Sequence, residues 1–415
     1  MTVSANFLRW LRLCLGMAAF ALAGPGVRPL QADVPVRVVR FGDIAPRGAG
    51  IANTFEAVGF DPQERVYVAL CNPDESPGVG NCYVFRWNPK TGARRYFDNF
   101  LDAARRAGNL GPNRYWDKPE TLVKGHTHLW YMRGQMWMGT MNVHGYGDLT
   151  YHRGAHLMAL DLATGQLTDH AQWQPNGVFH ERGGIYGLTV MPARNLVIAV
   201  GVPNCTIIVY NPTTRATTRF AGTPRESNPQ LSGRDITVLA GGNLLYQCGS
   251  GSTPFGLYNV FTGRNEALDF HIDNPLSLGY ARTSDGMFAY LNDDAGIYRF
   301  SLATKRGTRL ADLVPGGGRN QGTAVNLSHD ERRLYYVVNK AGGDKGPYVD
   351  DLYEYDLGTG TRTKLMNLQS AVGGGVKFSG GHMMSSKEKL YLAFQGEVEP
   401  GVIEIDLSAR ASPRP

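Results

Sequence analysis

One short pattern recurs seven times along this chain and constrains its fold more than any other feature. A few aromatic or aliphatic residues run into Asn, Asp or Ser and then into a turn that often ends Thr-Gly. The polar residue falls at Asn88, Asp161, Asn211, Asn259, Ser301, Asp356 and Asp406. Phe85-Arg86-Trp87 before Asn88 and Tyr353-Glu354-Tyr355 before Asp356 are two of the seven strand ends. Physically, each unit is a strand entering a tight turn. The Asx or Ser side chain bonds the backbone that follows it, and Gly accepts a positive φ. Neighbouring turns lie 42 to 73 residues apart. The mean of about 53 residues suits one four-stranded propeller blade with modest loops. The expected fold is therefore an all-β, seven-bladed β-propeller.

The two ends of the chain agree with this reading. After Asp406 too little sequence remains for a good outer strand, whereas residues 34–41 read as a lone strand ahead of the first blade. That strand is expected to complete the last blade, which closes the ring and removes its open edge. Residues 98–121 exceed the blade period. Their 101–108 stretch reads as a short helix stopped by Gly108.

Composition fits: 52 of 415 residues are Gly, 20 are Tyr, and only 19 % are charged. A helical bundle or a disordered chain is excluded. The net charge of +6 comes without a Lys/Arg run, so nucleic acid is not an expected partner. Arg9 and Arg12 ahead of the apolar stretch 13–24 form a secretory signal pattern. The expected division is a signal at residues 1–23, with an alternative end at 32, and a single propeller domain at 33–415. No later segment is apolar enough to span a bilayer, so a secreted or periplasmic, monomeric protein is expected. Cys71, Cys82, Cys205 and Cys248 would remain and allow three pairings. Cys71 with Cys82 could bridge one loop, and Cys205 with Cys248 could clip neighbouring blades. Free buried thiols are the alternative.

Five of ten histidines lie between positions 126 and 156, in the second blade. Residues 125–132 read as its innermost strand, where His126 and His128, two apart, would point to one side. The start of an inner strand and the loop between second and third strands share one face of a propeller. His126, His128, His144, Tyr146 and Arg153 should therefore converge there. Around the same rim the pattern adds Arg182 and Tyr186, Arg234 and Tyr246, Arg282, Arg319 and His382. His152 and His156 read as supporting residues. A face rich in His, Tyr and Arg suits binding and deprotonating an anionic sugar better than two-carboxylate glycoside hydrolysis.

Gly125-His126, His144-Gly145-Tyr146 and Gly184-Ile185-Tyr186-Gly187, in a chain of this architecture, resemble the ulvan-lyase type of polysaccharide lyases. The resemblance implies cleavage of an anionic, uronate-containing polysaccharide or oligosaccharide by β-elimination. It implies His126, His144 and Tyr186 as the acid/base residues; the rim pattern then puts His128, Tyr146, Arg153, Arg182, Arg234, Tyr246, Arg319 and His382 around the substrate. The chain departs from that pattern in one place. The neutralising Arg expected near residues 202–204 is absent, and Arg182, Arg234 or Arg153 would have to substitute. No cofactor is required by this reading. Two alternatives stand beside it. One is a non-catalytic glycan- or protein-binding propeller. The other is a hydrolase or lyase whose Zn²⁺ or other divalent metal is held by His126, His128 and His144.

Overall fold

The computed structural model describes residues 34–415, except 75, 77, 111–119, 142–153, 172–183, 203–204, 222–235, 248–253, 273–280, 294, 315–320, 323–324, 341–348, 379–381, 397–398 and 411–415. Residues 34–415 form one compact unit. The expected signal segment lies outside the described residues. Among the described residues no helix is long and apolar enough to cross a membrane.

The seven turns end seven hairpins, one in each of seven antiparallel sheets. Asp161 shows how they work. Its Oδ1 accepts the N–H groups of Ala163 and Thr164, and Gly165 closes the turn at φ +78°. Asn259 with Gly263 and Asp356 with Gly360 repeat the arrangement. Blade 1 contains the strands Val58–Phe60, Val66–Asn72, Asn81–Trp87 and Arg94–Asn99. Blade 2 contains Trp130–Met132, Gln135–Gly139, Leu157–Asp161 and Leu167–Asp169. Blade 3 starts at Gly184–Met191, blade 4 at Thr237–Leu239 and blade 5 at Ala281–Arg282. In blades 6 and 7 the innermost position is split, into Gln321–Gly322 with Asn326–Leu327 and Val376–Lys377 with His382–Met384. Inner strands touch their neighbours in order, and blade 7 touches blade 1.

Ring closure occurs as the ends of the sequence imply. Val36–Arg40 pairs antiparallel with Gly401–Asp406, from Val36 opposite Ile405 to Arg40 opposite Gly401. Arg410 then holds the chain end to blade 6 through a two-bond pair with Glu354, at 2.6 and 2.9 Å.

The core is distributed, because sheets packed face to face bury both surfaces. Seven large apolar clusters each fill one blade junction. Blades 1 and 2 approach so closely that a Cβ on Gly59 would lie 1.9 Å from the Leu129 carbonyl oxygen. The extra sequence of blade 1 forms the helix Phe100–Arg106. Asn99 caps it by accepting the Asp102 N–H, and Gly108 at φ +72° follows its end.

Strand direction fixes which side chains can meet. The repeated hairpin turns and the turns between first and second strands share one face, here the turn face. Inner-strand starts and the loops between second and third strands lie on the opposite, entry face.

Candidate functional site on the entry face

The inner chain of blade 2 is not the regular strand that the sequence suggests. Gly125 faces Thr140 across an isolated bridge, and Trp130 faces Trp137 in the regular ladder. Five steps on one side therefore oppose three on the other, so the segment bulges. Thr127 fills the gap, its Oγ1 accepting the Gly139 N–H at 2.9 Å. His126 donates its backbone N–H to the Gly139 carbonyl. A bulge re-aims side chains, and alternation no longer applies across it.

This corrects the expectation that His126 and His128 point to one side. The His126 ring stacks on Tyr186 of blade 3, with centroids 4.9 Å apart and planes 17° apart. His128 instead lines the central channel, edge-on to Trp130 at 6.2 Å.

Tyr186 also owes its direction to a bulge. The register of blade 3 shifts between Ile185 and Gly187, leaving Tyr186 as the extra residue. It packs on Met141. The Ile185 N–H donates to the Thr140 carbonyl at 2.8 Å, which ties the two bulged segments together. His126 is 1 % exposed and Tyr186 4 %.

Behind this pair lie two buried supports. The first is the disulfide Cys71–Cys82, which joins directly opposed residues of blade 1. The Gly125 N–H points at it, 3.1 Å from the Cys82 sulfur. Cys205 is disulfide-bonded too, while Cys248 lies outside the described residues. Replacing both Cys71 and Cys82 with alanine should cost about 2–4 kcal/mol, read as a lower urea midpoint in the oxidised protein. An unchanged midpoint would show that the bridge carries no stability.

The second support is His156. Its Nδ1 is 2.5 Å from Asp169 and its Nε2 3.3 Å from Glu120, with all three side chains essentially inaccessible. Asn109, just past the blade 1 helix, donates to the same Asp169 carboxylate. Burial alone would lower the His156 pKa. The two carboxylate charges and their hydrogen bonds outweigh it and raise the value to about 10. His156 also donates its backbone N–H to Thr140 Oγ1. The residue held in this cluster is thus bonded to Thr140, which faces Gly125 and accepts the Ile185 N–H.

The remaining expected site residues fall in four places. His144, Tyr146, Arg153, Arg182, Arg234 and Arg319 lie outside the described residues, as does His152. His382 pairs with Leu392 in the inner strand of blade 7. Tyr246 is buried between blades 3 and 4, and its hydroxyl donates to Asn265 at 2.8 Å, away from the channel. Arg282 belongs to the turn-face half of the channel and not to the entry rim. Glu120 and Asp169 carry no local sign of this role, because Glu120 comes from 36 positions away and Asp169 meets His156 only through the pairing of the last two strands of blade 2.

No family model and no curated protein matches the chain. Solved structures match its shape. One is a chain of the mitotic checkpoint complex: TM-score 0.56, 12 % identity, 92 % of this chain and 95 % of that one covered. Another is the extracellular domain of a hybrid two component system from B. thetaiotaomicron, with a TM-score of 0.54 and 9 % identity. That match covers 89 % of this chain and only 39 % of the other. At such identities the likeness shows the propeller fold alone.

Proposed function

We propose that this propeller is a lyase that cleaves a uronate-containing polysaccharide by β-elimination at the entry rim between blades 2 and 3. The observation that carries the reading is the stacked pair of His126 and Tyr186. Two proton-transfer side chains sixty positions apart in sequence are brought face to face, each by a bulge. In the reaction, a base removes the C5 proton beside the uronate carboxylate. The electron pair forms the C4–C5 double bond, the C4–oxygen bond breaks, and an acid protonates the departing oxygen. His126 and Tyr186, with His144, divide these proton transfers. Charge that develops on the carboxylate needs a cation, which Arg182, Arg234 or Arg153 would supply. An exported protein acting on an extracellular polymer also accords with the disulfides.

The burial of His126 and Tyr186 favours one second reading, a glycan-binding propeller without turnover. A screen on ulvan, glucuronan, pectins, alginate and glycosaminoglycans separates them. The lyase produces new ultraviolet absorbance from an unsaturated uronate. Binding with no absorbance on any polymer would support the module and overturn the lyase.

A further inference from the structure

The central channel has a second chemical character on the turn face, independent of the entry rim. A cavity of about 420 Å³ runs along it, lined by residues from all seven blades. Trp130, Ile236, Val325 and Met384 give it an apolar wall. Among the described residues that line it, Arg282 is the only one with a permanent charge. The Trp130 indole N–H is buried with no hydrogen-bond partner among the described residues.

Arg282 stands where this apolar space meets a second, polar one. The adjoining cavity of about 390 Å³ shares Arg282 and Met384 and adds Ser284, Ser328 and Ser385. The acid at that mouth, Glu331, accepts the Ser284 backbone N–H. The Arg282 guanidinium is steadied by donating to the Val238 carbonyl at 2.6 Å. A space of this size, with an apolar wall beside polar groups such as Thr189, Thr237 and Asn326, can hold a small molecule. Apolar walls ending at one cation select a ligand with an apolar body and one anionic head.

We propose that the turn-face channel binds a small amphipathic carboxylate, its chain among Trp130, Ile236 and Val325 and its head at Arg282. Calorimetric titration with decanoate, below its micelle concentration, tests this on the whole protein, with decanol as the uncharged counterpart. Decanoate should bind at least about ten-fold more tightly than decanol. Arg282→Met should remove that preference. Ala281→Phe, which fills the cavity beside Arg282, should weaken both ligands and keeps the test decisive if the first variant misfolds. No heat from decanoate at millimolar concentration, equal binding of decanol, or unchanged binding in the folded Arg282→Met or Ala281→Phe protein would overturn the site. Polysaccharide cleavage by the Arg282 variant should match the parent, so the two proposals fail separately.

Discussion

Tyr186→Phe is expected to lower turnover on the cleaved polysaccharide by about 100- to 10,000-fold, the usual worth of a positioned proton donor or acceptor. The unfolding midpoint should barely move. Phenylalanine keeps the ring that stacks on His126 and packs on Met141, and only the hydroxyl is lost. One hydrogen bond is worth about 0.5–1.5 kcal/mol at most to the fold. Loss of rate in kcat with an unchanged KM would mark a role in the chemical step. Turnover equal to that of the parent would remove Tyr186 from the reaction.

The largest expected effect on stability comes from His156→Leu. Leucine fills similar space but leaves Glu120 and Asp169 facing each other without a cation, inside a blade. Breaking a buried ion cluster in this way costs about 3–5 kcal/mol. The pH dependence has a definite sign. His156 has its pKa raised from 6.5 to about 10 in the folded protein. Its contribution is therefore complete below about pH 6.5 and is lost as pH rises through about 10. Denaturant unfolding of parent and variant across pH 6 to 10 should show the gap between them narrowing toward alkaline pH. A gap that is constant, or that widens, would mean the buried imidazole is not charged. The backbone N–H of residue 156 still donates to Thr140 Oγ1 in the variant, so the change in stability reads on the ion cluster itself.

The ring was legible because its signal is local and repeated. An Asx residue that bonds its own turn, with Gly at positive φ, needs no distant partner to be recognised. Seven such units at blade spacing leave few alternatives. The closing strand was legible from the ends: residues 34–41 had no partner nearby, and the last blade lacked a strand. The bridge between Cys71 and Cys82 is one of the pairings that the sequence leaves open, and their opposed places in blade 1 decide it.

The rim was less legible, for a physical reason. Reading His126 and His128 as neighbours on one side assumed a regular strand. The bulge filled by Thr127 breaks that alternation and sends one ring to Tyr186 and the other to the channel. Nothing in residues 125–132 alone announces it, since the bulge arises from pairing with Gly139 and Thr140. A tyrosine on a second strand can face either the channel or the next blade, and for Tyr246 the bond to Asn265 decides for the latter. The cluster of Glu120, His156 and Asp169 depends on packing that brings the blade 1 insert against blade 2. The composition of His156's own neighbourhood indicated support, not charge.

The central claim is that the entry rim breaks a glycosidic bond by elimination. Cleavage of the responsive polysaccharide in heavy-oxygen water, followed by mass spectrometry of the new ends, tests it directly. Elimination adds no water, so the account predicts products carrying no solvent oxygen and one unsaturated uronate per cut. A heavy oxygen atom incorporated at each cut, with no unsaturated end, would show hydrolysis and contradict it.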